Sequence, residues 1–195
     1  MFENEIKRYK TLNELAKQNG ILIFGGTDDK KIPLCELKQA FELNPDLYNR
    51  SVDNLSVVNA PEVYAACAAE LKPETVILHI GKADLKLCEE NAPEFEKKYC
   101  ELIRYIRANN TKCDVVIISF KNPKATADIA KLNKHLKYIA NSEQCEYYDT
   151  SVNRTWNPIQ SKDVISFVYS IGFVQPLKTK RPISDLVRIL FCCEA

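Results

Sequence analysis

Residues Ile21-Leu22-Ile23-Phe24 form an unbroken apolar run that leads straight into Gly25-Gly26-Thr27-Asp28-Asp29. Consecutive apolar side chains need cover on both faces, and a parallel strand between two helical layers supplies it. Polar residues placed just after such a strand gather at the carboxyl edge of the sheet, where open α/β folds keep their crevices. The segment therefore predicts both a fold class and the place to look for a site.

The rest of the chain repeats the rhythm. Strand-like runs at 21–25, 46–50, 75–80, 114–120 and 146–149 alternate with helical patterns at 33–43, 60–71, 92–109 and 126–141. The runs Thr75-Val76-Ile77-Leu78-His79-Ile80 and Val115-Val116-Ile117-Ile118 are continuous, as expected of strands buried on both faces. Asn59-Ala60-Pro61-Glu62 and Asn91-Ala92-Pro93-Glu94 share one helix-start signature: an Asn cap, a first-turn proline and a Glu able to reach back. Alternation of this kind predicts a three-layer α/β/α fold around a five-stranded parallel sheet with right-handed crossovers. No linker-like composition break occurs, so residues 1–195 are read as one domain. Residues 150–160 read as loop. Residues 161–172 fit a helix or a strand, and 182–193 a final helix.

With 195 residues the chain can bury one sizeable core, and its net charge of +1 offers no field to draw nucleic acid or an anionic membrane. No apolar run is long enough to span a bilayer. Residues 2–19 show helical spacing, with Phe2, Ile6, Tyr9, Leu12 and Ala16 on one face, rather than a secretory leader. A cytoplasmic location is the resulting expectation. Eight cysteines without a C-x-x-C pair, beside two histidines, argue against zinc and for reduced structural thiols. No cofactor and no metal site are implied.

Three loops converge at the crevice of such a sheet: Gly25-Gly26-Thr27-Asp28-Asp29, then Asn49-Arg50-Ser51-Val52-Asp53-Asn54, then Gly81-Lys82-Ala83-Asp84. In these blocks the chain resembles the SGNH (GDSL-type) hydrolases, esterases and lipases with a flavodoxin-like α/β/α fold. Gly25-Gly26-Thr27 stands where that family has Gly-Asp-Ser with its nucleophile. Asn49-Arg50-Ser51 stands where it has Asn-Arg-Gly, and Gly81-Lys82-Ala83-Asp84 where it has Gly-x-Asn-Asp. The resemblance covers residues 20 to about 150. It implies Thr27 as the catalytic position and Gly25, Gly26, Asp28, Ser51, Asn54, Gly81, Ala83 and Asp84 as the ligand-binding ones.

The departures limit the chemistry. Thr27 keeps a hydroxyl on a β-branched side chain of restricted χ1. Gly26 replaces the acid, Ser51 the oxyanion glycine and Ala83 the oxyanion asparagine. The family's late Asp-x-x-His has no counterpart, because no histidine follows His135. His79, deep in the third apolar run, reads as a satisfied core histidine, and His135 as a surface one. Asp28 or Asp29 is expected to cap the following turn, and Asp84 to brace its own loop.

In a serine hydrolase, losing the base removes about six orders of magnitude of turnover, and losing an oxyanion donor roughly two to three. What survives is of order 10³–10⁴ over water. The expectation is a catalytically degenerate relative with a pocket for a small ester, acyl or sugar-like ligand. One alternative is a divergent esterase using Thr27 with an unidentified base. Another is an interaction protein whose crevice is filled by side chains such as Lys82 or Trp156.

Overall fold

The computed structural model describes residues 2–150, apart from 41, 42, 44 and 123, together with Val187 and Phe191. Helix α1 (Glu3–Asn13) precedes β1 (Ile21–Gly25), α2 (Leu34–Ala40), β2 (Leu47–Asn49) and α3 (Ala60–Cys67). Then follow β3 (Thr75–His79), α4 (Leu85–Glu90), α5 (Ala92–Asn109), β4 (Asp114–Ile118), α6 (Ala127–Ser142) and β5 (Glu146–Tyr148). The five strands form one parallel sheet in the order β2-β1-β3-β4-β5. The chain reverses direction across the sheet between β1 and β3, which puts a crevice at their carboxyl ends.

Alternate side chains of each central strand feed two separate cores. Leu22, Phe24, Val76, Leu78, Val115 and Ile117 pack under α3, α5 and α6, with Phe2, Ile6 and Tyr9 of the α1 segment laid against them. Ile23, Ile77, Val116 and Ile118 face the other way, towards Leu34, Leu37, Val187 and Phe191. Both faces of the strands are thus covered, which is why their sequences are continuously apolar.

Three sequence expectations need correction. Helix α1 ends at Asn13, and Leu12 is 42% exposed rather than packed with Phe2, Ile6 and Tyr9. Asn13 turns inward instead, where its amide donates to the Cys67 carbonyl at 2.8 Å. Only one of the two Asn-x-Pro-Glu starts is a side-chain cap: Asn91 Oδ1 accepts the Glu94 N–H at 3.3 Å. Asn59 is already in a helical conformation, because the Ala60 N–H goes back to the Ser56 carbonyl at 2.9 Å. The segments expected at 151–186 lie outside the described residues, as does most of 182–193.

Burial explains the thiols. It pushes Cys67 and Cys145 up to about 11 and Cys113 up to about 12, so these side chains behave as small hydrophobes. The Tyr64 ring packs edge-on against Phe24, 5.5 Å between centroids, and its buried hydroxyl has no hydrogen-bond partner among the described residues. An unpaired buried hydroxyl destabilises, so Tyr64→Phe is expected to raise stability by about 1 kcal/mol. A urea midpoint that falls would contradict this.

Candidate functional site

Register builds the site. Gly25 and His79, the last residues of β1 and β3, are paired neighbours in the sheet. Four residues after Gly25, the buried carboxylate of Asp29 folds back over the strand end. Its Oδ2 accepts the Gly26 N–H at 2.8 Å and its Oδ1 meets His79 Nδ1 at 2.7 Å. A Cβ on Gly25 would stand 2.1 Å from Asp29 Oδ2, so only glycine leaves room for this arrangement. Accepting from two N–H donors is what an ionised carboxylate does, and it leaves the His79 proton on Nδ1.

The imidazole is held from the other sides by rings. Phe120 stacks on it at 4.1 Å between centroids with 23° between planes, and Phe191 meets it edge-on at 5.4 Å. Phe120 is fixed by the buried amide of Asn133, which donates to its carbonyl and accepts its N–H, both at 2.8 Å. The His79 side chain is 12% exposed, and Nε2 has no partner among the described residues while not being sealed from solvent. His79 is therefore no buried core histidine. It lines a crevice of about 320 Å³ at the ends of β1 and β3.

Of the residues expected at the site, Gly26, Thr27, Asp28, Asn54, Gly81 and Ala83 line that crevice. Leu55, His79, Ile80, Lys82 and Phe120 line it too. Gly25, Ser51 and Asp84 stand behind the wall. The Ser51 hydroxyl accepts the Gly25 N–H, and its own N–H is turned to Asn49 Oδ1, both at 3.0 Å. The Gly25 carbonyl accepts the Val52 N–H, so the second loop is welded to the end of β1. Gly81 has φ +132°, a conformation that requires glycine.

Asp84 is buried and accepts the Val57 N–H at 2.9 Å, so it braces the second loop from the third. Desolvation pushes its carboxyl up to about 6. Neither acid of the first loop caps the turn that follows. Asp28 instead pairs with Lys82 at 2.7 Å on the exposed rim, and that hydrogen bond lowers its pKa.

Thr27 Oγ1 accepts the Asn54 N–H at 3.1 Å and is hydrogen-bonded to the Asp53 carboxylate. Asp53 also pairs with Lys30, which holds its carboxyl below the usual range and leaves it a poor proton acceptor. No bond joins Thr27 to an imidazole among the described residues. His135, the other histidine, is paired with Glu96 at 2.7 Å, on helices α6 and α5.

Arg50, in the block that the resemblance assigns to the oxyanion, is buried and points away from the crevice. Its guanidinium donates to Asn13 Oδ1 from Nε at 2.9 Å and from Nη2 at 2.6 Å, and to the Asn49 carbonyl at 2.9 Å. It also lies over the rings of Tyr9 and Tyr48. A second, more open hollow of about 460 Å³ between α6 and β5 shares no residue with the crevice. Among the described residues, no helix is long and apolar enough to cross a membrane.

The sheet order, the layers and the three loops at its carboxyl edge define an SGNH/GDSL hydrolase-type fold. The solved structures that share it include a GDSL-like lipase from Bacteroides thetaiotaomicron, at 16% identity and TM-score 0.56 over 74% of this chain and 77% of that one. A candidate platelet activating factor from Streptococcus pneumonia is similar at 17% identity and TM-score 0.63, over 75% of this chain and 73% of that one. TesA is similar at 16% identity and TM-score 0.52, over 87% of this chain and 93% of that one. No protein-family model and no curated protein matches the sequence. At these identities the likeness establishes the fold and leaves the activity to be argued from the site.

Proposed function

We propose that this protein is a ligand-binding member of the SGNH-type fold that lacks ordinary acyl-hydrolase activity. Its crevice at the carboxyl edge would take a small ester, acyl or sugar-like ligand. The observation that carries the reading is the state of Thr27. Its oxygen is occupied by the Asn54 N–H and the Asp53 carboxylate, so among the described residues no competent base is in place to take its proton. The oxyanion positions support it: the Ser51 N–H is spent on Asn49 and Ala83 has no donor side chain. A tetrahedral intermediate would form without two of its usual stabilising groups.

The divergent-esterase reading has one observation in its favour, the Asp29–His79 pair on the same crevice. It would require Thr27 to leave Asn54 and Asp53 and turn to His79. Hydrolysis of 4-nitrophenyl acetate by the wild type and Thr27→Ala decides between them. The expected result is the same rate for both, within about twofold. Turnover well above the uncatalysed rate that disappears in Thr27→Ala would overturn the binding-protein reading.

A further inference from the structure

Among the described residues no hydrogen bond joins the Asp29–His79 pair to Thr27, and its two halves come from the β1 loop and the end of β3. Its chemistry is well defined. Asp29 Oδ1 accepts a hydrogen bond from Nδ1–H, which fixes the tautomer and leaves the Nε2 lone pair as an acceptor. Phe120 and Phe191 hold the ring in place, and Asn133 holds Phe120. The Nε2 acceptor of His79, on a crevice wall and without a partner among the described residues, is a place for a ligand hydroxyl or a water.

The neighbouring groups restrict what completes it. The Gly26 N–H is taken by Asp29 and the Asn54 N–H by Thr27, so neither of these two donors is available to a carbonyl oxygen. Asp28 is matched by Lys82, whereas Asp29, satisfied by two N–H donors, keeps its negative charge at the crevice wall, which disfavours an anion. Leu55, Ile80 and Phe120 give apolar wall for C–H surface. About 320 Å³ is the volume of a small-ligand site.

We propose that His79, oriented by Asp29, is the hydrogen-bond acceptor for a hydroxyl of a neutral polyhydroxylated ligand, a sugar or polyol. This rests on the binding-protein reading and narrows its ligand class: of the ester, acyl and sugar-like ligands, the site prefers the one that donates.

The chain has two histidines, so nitrogen-15 NMR at pH 8 can read both directly, with His135 as the internal comparison. The expected result is the Nδ1–H tautomer at His79. Titration with methyl α-D-glucopyranoside is expected to give a saturable shift at His79 Nε2 that His135 does not show, while methyl acetate gives none. His79→Phe, which keeps the ring packing, is expected to weaken glucoside binding about tenfold, the worth of one hydrogen bond. An Nε2–H tautomer overturns the proposal. So does the absence of a saturable His79 shift with the glucoside, or an equal shift with methyl acetate. If His79→Phe fails to fold, the tautomer and the titrations of the wild type still decide. The two readings fail separately: Thr27-dependent ester turnover defeats the binding-protein reading and leaves the tautomer as it is, whereas an Nε2–H tautomer leaves that reading standing.

Discussion

Arg50→Ala is expected to destabilise the fold by about 2–4 kcal/mol, through the loss of hydrogen bonds from a charged donor and of packing over two rings, with a buried acceptor left unpaired. The guanidinium links Asn13 of α1 to the Asn49 carbonyl at the end of β2, and lies over the rings of Tyr9 and Tyr48. Removing it leaves Asn13 Oδ1 buried without its donors and opens the seam between α1 and the sheet. Arg50→Lys should rescue little, since one ammonium cannot reproduce the planar fork over two rings. Asn13→Ala is expected to be costly as well, and the double variant less costly than the sum, with a coupling of about 1–3 kcal/mol. Urea unfolding monitored by far-UV circular dichroism measures all four. A loss below 1 kcal/mol for Arg50→Ala would refute the assignment of this residue as a structural pin.

Asp84→Asn should act in the opposite direction, and only above acid pH. Burial lifts the Asp84 carboxyl from its ordinary value near 3.8 to about 6, so the folded protein prefers the neutral form. Below pH 4 both folded and unfolded chains carry the proton, and Asp84 imposes no penalty. As pH rises from 4 to 6 the unfolded chain ionises first and stability falls by up to about 1.4 kcal/mol per pH unit. Above pH 6 the penalty levels off near 3 kcal/mol. An asparagine can still accept the Val57 N–H through Oδ1 and has no charge to desolvate. The variant is therefore expected to match the wild type at pH 4 and exceed it by up to about 3 kcal/mol at pH 7.5. Melting temperatures of both proteins across pH 4–8 check this, and a gap independent of pH would contradict it.

Much of the fold was legible because the central strands carry their burial in plain view. The run Val115-Val116-Ile117-Ile118 has no polar alternation, and it is the strand covered on both faces. Helix α5 was readable end to end because Asn91 caps it and its apolar spacing holds to Asn109. Helix α1 was overextended, since spacing alone does not reveal that Asn13 is drawn inward by Arg50 and Cys67.

At the site, the loop positions of Thr27, Asn54, Gly81 and Ala83 followed from strand order. The pairing of Asp29 with His79 did not. It depends on Gly25 and His79 being side by side across two strands more than fifty residues apart in sequence, and register is a tertiary fact. One local signal did point to it: a histidine ending an otherwise apolar strand, level with a glycine that ends the adjacent one. The roles of Ser51 and Arg50 were hidden for a similar reason. Their side chains turn towards the frame of the protein, and the motif they resemble says nothing about which way they face.

The seat that Gly25 provides for a carboxylate has a bearing on any attempt to reinstall esterase chemistry. Position 26 is open, with no heavy atom of the described residues within 4 Å of where a Cβ would sit, so an acid there meets no clash with them. Position 27 already carries an alcohol that Ser could replace. Position 25 admits no such liberty: even alanine would evict Asp29 and release the imidazole it steers. A redesign that respects this constraint starts with an oriented histidine in hand and has only to bring the alcohol to it.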